Sequence, residues 1–281
     1  MFLEQFDLED RIILVTGAGR GLGRAMSLAL ARAGAHIVAA SRTAAQLEQV
    51  VEEVRGLGRR AVAIPTDITT KSQVEAMVSR AEAELGPVDV LINNAGDGST
   101  SMGQSVLELT EEEWRRGIDV NLTGAFLCSQ AAGRYMLPRK RGKIINISSG
   151  FGMRGSPAII YSVAKAGLIN LTQSLAFNWA PYNLQVNCIA PGWLPTTPPE
   201  SEEVRKGREI TASRIPMRRV GLPEEMGGLA VFLSSAASDY VTGQTILVDG
   251  GGLAGGYAPL LGAVSRSATG MSTKDVLKSM V

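Results

Sequence analysis

The chain has 281 residues, enough to bury a sizeable core without a metal or disulfide staple. Its 28 Lys and Arg balance 27 Asp and Glu, a formal charge of +1, so charge makes no case for nucleic acid or an anionic membrane as partner. Two cysteines without a C-x-x-C pair exclude a disulfide framework and a cysteine-based zinc site and fit a reducing compartment. The single histidine, His36, excludes a multi-histidine metal centre, and a Ser-His-Asp hydrolase would have to use it.

Met1 to Asp10 is acidic and lacks the layout of a signal peptide, and no run of ~18 apolar residues follows, so a cytoplasmic protein without a membrane span is expected. Arg11 to Thr16 reads as a strand. Leu22, Ala25, Met26, Ala29, Leu30 and Ala33 then recur at helical spacing, and Gly34 closes that helix. Ile37 to Ser41 is a second strand, with His36 at its edge. Ala44 to Leu57 is a helix, Ala61 to Thr66 a strand, Lys71 to Leu85 a helix and Val88 to Asn93 a strand. A long helical stretch covers Glu111 to Met136, and a strand covers Lys143 to Ser148. Helix Tyr161–Ala180, strand Gln185–Ala190, helix Pro223–Ser234 and a short strand Thr245–Val248 complete the pattern.

This alternation predicts an α/β fold: one doubly wound parallel sheet, Rossmann-like, with helices on both faces. Residues 1–252 read as one domain. The polar, Pro-containing segment 194–217 is a small insertion at the ligand edge, and 253–281 is a C-terminal tail.

Gly17, Gly19, Gly21 and Gly23 join the first strand to the first helix. Glycines permit the tight turn and a close backbone approach, and the helix N-terminus offers N–H groups to a pyrophosphate. The strand before and the amphipathic helix after supply the context a dinucleotide site needs. The second strand ends at Ser41-Arg42, with no carboxylate for ribose hydroxyls. Arg42, with Arg20 in the glycine loop, offers positive charge to a 2′-phosphate, which predicts NADP(H) over NAD(H).

Tyr161 and Lys165 stand four apart at a helix start and share one face. Ser148 and Ser149 end an apolar strand, where ligands of parallel sheets bind. A tyrosine hydroxyl can supply the proton for carbonyl reduction if a nearby ammonium lowers its pKa. A serine hydroxyl can hold the substrate oxygen.

Over roughly residues 8–252 the chain resembles a classical short-chain dehydrogenase/reductase. The matching segments are Thr16-Gly17-x-x-x-Gly21-x-Gly23, Asp67-Ile68, Asn93-Asn94-Ala95-Gly96, Asn121, Ser148-Ser149, Tyr161-x-x-x-Lys165, Pro191-Gly192 with Thr196, and Val248-Asp249-Gly250-Gly251. The resemblance implies Tyr161 as general acid/base, Lys165 as its tuning group and ribose ligand, and Asn121 as holder of a relay water. It implies further cofactor contacts from Leu22, Asp67, Ile68, Asn94, Ala95, Gly96, Pro191, Gly192 and Thr196. The family's serine usually precedes the tyrosine by thirteen residues, which counts to Ser148. Aligning Ser-Ser-x-x-Gly instead selects Ser149, with one residue missing from the next loop. Strand-end geometry fixes the serine more tightly than loop length does, so Ser149 is expected.

Phe151, Met153, Ile159, Ile160, Trp193, Gly98 and Met102 would make a mostly apolar pocket for a small-molecule carbonyl or alcohol, with Arg154 as the nearby cation. The resemblance points first to reduction of a 3-oxoacyl or other apolar ketone. Arg139, Lys140 and Arg141 would attract an acyl carrier protein, whereas Phe177 stands where such reductases tend to have a basic docking residue. The segment 178–183 is similar to that of gluconate-type, sugar-acid or polyol dehydrogenases, which is the alternative. A non-catalytic NADP(H)-binding redox sensor is an alternative of another class. The resemblance also implies a homotetramer through the two long helices and the C-terminal strand. No metal site is expected.

Overall fold

The structure is a computed structural model that describes residues 2–98 and 103–254, with the side chains of Phe2 and Leu3 left aside. The expectations for Met102 and for the tail from residue 255 onward lie outside the described residues.

Seven strands form one all-parallel sheet in the order β3-β2-β1-β4-β5-β6-β7. They are β1 (Ile12–Thr16), β2 (His36–Ser41), β3 (Ala61–Pro65), β4 (Val90–Asn93), β5 (Gly142–Ile147), β6 (Leu184–Pro191) and β7 (Thr245–Val248). Between them run α1 (Gly21–Arg32), α2 (Ala44–Gly56), α3 (Lys71–Glu84), α4 (Glu111–Ile118), α5 (Gly124–Arg139), α6 (Ile159–Trp179), α7 (Glu202–Arg214) and α8 (Met226–Ser234). Both faces of the sheet are covered. Ile13 and Val15 of β1 join Met26, Leu47, Val50 and Met226 in one core, while Ile12 and Leu14 join Val74, Met77, Cys128 and Met136 in the other. The period-2 alternation of a single apolar strand thus feeds two layers of helices.

The sheet reverses direction of growth between β1 and β4, and the crevice at such a switch point is where doubly wound folds bind ligands. The expected elements appear within a few residues, with one informative difference. The long helix expected over Glu111 to Met136 is interrupted: α4 passes through a π-helical turn, Asp119–Thr123, before α5 begins. Such turns recur at functional sites, and this one carries Asn121. The insertion 194–217 contains α7. His36 opens β2 and is buried; its Nδ1 accepts from the Arg60 N–H at 3.1 Å, and burial holds its pKa below the usual value. Among the described residues no helix is long and apolar enough to cross a membrane, and no cluster of His, Cys, Asp or Glu could hold a metal.

Candidate active site

The glycine loop leaves β1 with Gly17 and Gly21 at φ +66° and +58°, in the left-handed region. A Cβ on Gly23 would fall 2.2 Å from the Gly17 carbonyl, so only glycine lets α1 start this close to the loop. Asn94 at the end of β4 donates to the Thr16 and Gly17 carbonyls at 3.0 and 3.2 Å, while the Thr16 hydroxyl accepts from the Asn94 and Ala95 N–H groups, both at 3.1 Å. The Nδ2 of Asn94 thus ties the ends of β1 and β4 together across the switch point. Ile68 packs on Gly124, where a Cβ would fall 2.5 Å from its Cδ1. Leu22 is half-buried. Thr196, from the segment after β6, arches over Gly21, and Gly192 lies tight against Asp249.

A dinucleotide suits this edge. The glycine cradle is open to a pyrophosphate. The Ser41 hydroxyl, turned toward Gly19, is buried with no hydrogen-bond partner, an arrangement that costs free energy unless a ligand satisfies it. Arg42 and Arg20 are exposed with no ion-pair partner among the described residues. Asp67 accepts from the Thr69 N–H and hydroxyl, and these bonds, with Arg42 nearby, hold its carboxyl below the usual range.

The candidate reacting groups converge at the C-terminal ends of β4 and β5. Tyr161 and Lys165 lie on the first turns of α6, and the Lys165 ammonium is 5.5 Å from the Tyr161 ring centroid. Lys165 is buried, donates to the Ile147 carbonyl at 2.8 Å, and burial pulls its pKa down to about 8. Burial also pushes the Tyr161 hydroxyl up; Ser149 opposes this by hydrogen bonding, and Asp97 adds to it. This differs from the expectation that the lysine would lower the tyrosine. In the resting site burial outweighs any effect of the ammonium, so the phenol keeps its proton at neutral pH while the lysine, charged below about 8, stands ready for the phenolate formed when that proton leaves.

The two serines part ways. Ser149 faces Tyr161, and its Oγ also accepts from the Phe151 N–H at 3.1 Å. Ser148 is buried and donates instead to the Lys165 carbonyl at 2.8 Å. Asn121 accepts from the Asp97 N–H at 3.0 Å and donates to the Asp97 and Gly117 carbonyls. A Cβ on Gly96 would meet Asn121 Oδ1 at 2.8 Å and Lys165 Nζ at 3.2 Å, so both polar atoms look onto one small space.

Around the tyrosine, Phe151 and Ile159 are half-buried, Met153 and Trp193 are exposed, and Gly98 lies against the Tyr161 ring. The Arg154 guanidinium stands 5.8 Å from the Phe151 ring centroid. Asp97 was missed from the sequence; its signal is a carboxylate directly after the glycine at the end of β4. A cavity of about 280 Å³ shares Trp193 with this rim but otherwise runs beneath the insertion, along Ile215, Met217 and Val248. Arg139, Lys140 and Arg141 lie at the opposite edge, before β5 begins. Arg139 pairs with Glu82 at 2.7 Å and Arg141 with Asp89 at 2.9 Å.

Comparison with known proteins agrees with the geometry. A family model described as enoyl-(acyl carrier protein) reductase matches residues 17–252. The chain is 38% identical over 259 residues to 2-dehydro-3-deoxy-D-gluconate 5-dehydrogenase of Escherichia coli K12, covering 90% of this chain and 100% of that protein. A gluconate 5-dehydrogenase from Burkholderia cenocepacia J2315, solved with NADP and tartrate, superposes with a TM-score of 0.82 at 34% identity, covering 90% of this chain and 99% of that one. A 3-oxoacyl-[acyl-carrier protein] reductase from Brucella melitensis with bound NAD gives 0.79 at 34% identity, covering 89% and 94%.

Proposed function

Because the chain belongs to the short-chain dehydrogenase/reductase family, we propose that it is an NADP(H)-dependent enzyme interconverting a ketone and a secondary alcohol. One observation carries the reading: Tyr161, Ser149 and Lys165 meet at the same strand edge as a glycine cradle. The orphaned Ser41 hydroxyl beside Arg42 supports the phosphorylated cofactor.

The cofactor supplies or takes up a hydride when bound. Gly17, Arg20, Gly21, Leu22 and Gly23 would hold its pyrophosphate, and Ser41 and Arg42 the 2′-phosphate. Asp67 and Ile68 would flank the adenine. Asn94, Ala95 and Gly96 would line its ribose, and Pro191, Gly192 and Thr196 would hold its nicotinamide end. Ser149 holds the carbonyl oxygen, and the Tyr161 hydroxyl gives that oxygen its proton. The phenolate left behind is stabilised by Lys165, protonated below a pH of about 8. Asn121 holds the exit of the proton path over Gly96. The elevated pKa of Tyr161 keeps it protonated at neutral pH, ready to give its proton to the carbonyl oxygen.

Two substrate classes compete. The half-buried Phe151 and Ile159, with Met153 and Trp193, suit a 3-oxoacyl or other apolar ketone. Arg154 and Asp97 at the same rim suit a hydroxylated keto acid: the cation meets the carboxylate and the carboxylate accepts hydroxyl protons. The second class is favoured, because Arg139 and Arg141 of the basic turn that would greet an acyl carrier are paired and the turn lies at the opposite edge of the sheet. The tartrate held by the Burkholderia relative is a hydroxy acid of the same kind. Initial rates of NADPH oxidation with 5-ketogluconate and with an acetoacetyl thioester decide between them: faster turnover of the thioester would reverse the preference. NADPH binding with no turnover of either, or of any simple ketone, would leave the redox-sensor reading.

Assembly follows from the helices. Phe126 on α5 and Val163 and Phe177 on α6 are exposed apolar residues, and a cleft between the two helices is lined by Phe126, Leu137, Leu175 and Trp179. These faces support a homotetramer, which sedimentation would reveal.

A further inference from the structure

The chemistry above leaves Ser148 without a task, yet it is the more tightly engaged of the two adjacent serines. Its hydroxyl donates to the Lys165 carbonyl at 2.8 Å, and the carbonyl of its neighbour Ile147 accepts from Lys165 Nζ, also at 2.8 Å. The last residue of β5 and the one after it thus hold one lysine by its tip and by its backbone. That strand end is itself fixed: Ile147 pairs with Ile189 in the sheet, and the Ser148 N–H donates to the Ile189 carbonyl at 2.8 Å.

We propose that Ser148 is a positioning residue, setting the placement of Lys165 beneath Tyr161 by clamping the first turns of α6 to the end of β5. Gly152 belongs to the same device. A Cβ there would fall 2.9 Å from Ser148 Oγ and 2.8 Å from the Lys165 carbonyl oxygen, so the turn after Ser149 closes over the bond only because this residue has no side chain. A second grip lies two helical turns on. Asn146 Nδ2 donates to Thr172 Oγ1 at 2.9 Å, and Asn146 in turn accepts from Asn93 Nδ2 at 2.9 Å. Thr172, seven residues after Lys165, shares its helical face. This deeper contact keeps α6 docked when the Ser148 hydroxyl is removed. A lysine side chain has several freely rotating bonds, so fixing only its tip would leave its height above the strand undefined; the Ser148 bond fixes the backbone from which the chain extends.

The proposal rests on the hydride-transfer reading, and its test separates the two. The first readout needs no turnover: the Lys165 titration, followed by NMR of the lysine Cε signals in the cofactor-free protein. In Ser148→Ala it is expected to rise from about 8 toward the ordinary lysine value, as the loosened ammonium reaches solvent. Ser148→Thr, which keeps the hydroxyl, returns it. The second readout is the pH profile of kcat with any ketone the wild type reduces: Ser148→Ala lowers kcat about tenfold and moves the alkaline limb the same way, while the thermal midpoint changes little. Gly152→Ala, pressing on the same bond from the other side, shifts both readouts in the same direction. A Ser148→Ala protein whose Lys165 titrates as in the wild type overturns the proposal. Wild type that binds NADPH and reduces no ketone refutes the hydride-transfer reading instead, and the titration still judges the clamp.

Discussion

Lys165 lies one helical turn after Tyr161 on α6, its ammonium 5.5 Å from the centre of the tyrosine ring, and both are withdrawn from water. Burial works against each charge separately: it lifts the phenol and depresses the amine. The fold thus keeps a charge where charge is costly, which is the signature of a group retained for its chemistry.

The cost is measurable. A lysine taken from 10.5 to about 8 by folding destabilises the protein by ~3 kcal/mol when protonated. Lys165→Met should therefore unfold later than the wild type at pH 7 by about 1–3 kcal/mol, after the lost bond to the Ile147 carbonyl is allowed for. The sign follows from linkage. Below a pH of about 8 both states carry the proton and the folded protein bears the full cost. Between about 8 and 10.5 the folded state has released the proton and the cost fades. Denaturant titrations should show the advantage of methionine shrinking over that window.

The same shift predicts a pH profile. In the proposed mechanism reduction draws on the Tyr161 proton, secure to high pH, and the Lys165 ammonium, lost through about 8. The kcat for ketone reduction should hold at neutral pH and fall as pH rises past about 8. A profile flat to pH 10 would mean that lysine charge is not used.

Arg42 should decide between cofactors. Arg42→Ala removes the planar cation beside Ser41, and a charge-assisted bond to phosphate contributes about 1.5–3 kcal/mol. NADPH affinity should fall about 10–100-fold while NADH affinity stays near its wild-type value, as read by nucleotide fluorescence.

Arg154 should decide between substrates. In Arg154→Ala the KM for a keto acid is expected to rise at least about tenfold, with kcat less affected and turnover of an uncharged ketone unchanged. An equal loss for both substrates would place Arg154 in structure rather than recognition.

How far the sequence spoke can be seen residue by residue. The sheet was legible because parallel strands are apolar on both faces: Ile12 to Val15 serve two cores at once, and such runs stand out between helical periods. The glycine loop, Tyr161 and Lys165 were legible because their chemistry requires fixed residue types at fixed spacings. The π-turn around Asn121 was not, since one extra residue in a helical turn leaves no mark on apolar periodicity. Nor was the balance of charge at the tyrosine, which depends on depth of burial. The different engagements of Ser148 and Ser149 became visible only when α6 was docked, because a single residue step along a strand points to opposite sides. Asn94 shows the same limit: its residue type matched the family pattern, while its bonds to Thr16 and Gly17 belong to the tertiary structure.

The most direct test of the central claim is NADPH oxidation with 5-ketogluconate by wild type and Tyr161→Phe, with NADPH binding followed in both. The account predicts turnover by the wild type, a loss of about a thousandfold or more in the variant, and equal binding by the two. Retained turnover in Tyr161→Phe would contradict it, because the proton would then reach the substrate oxygen from another group.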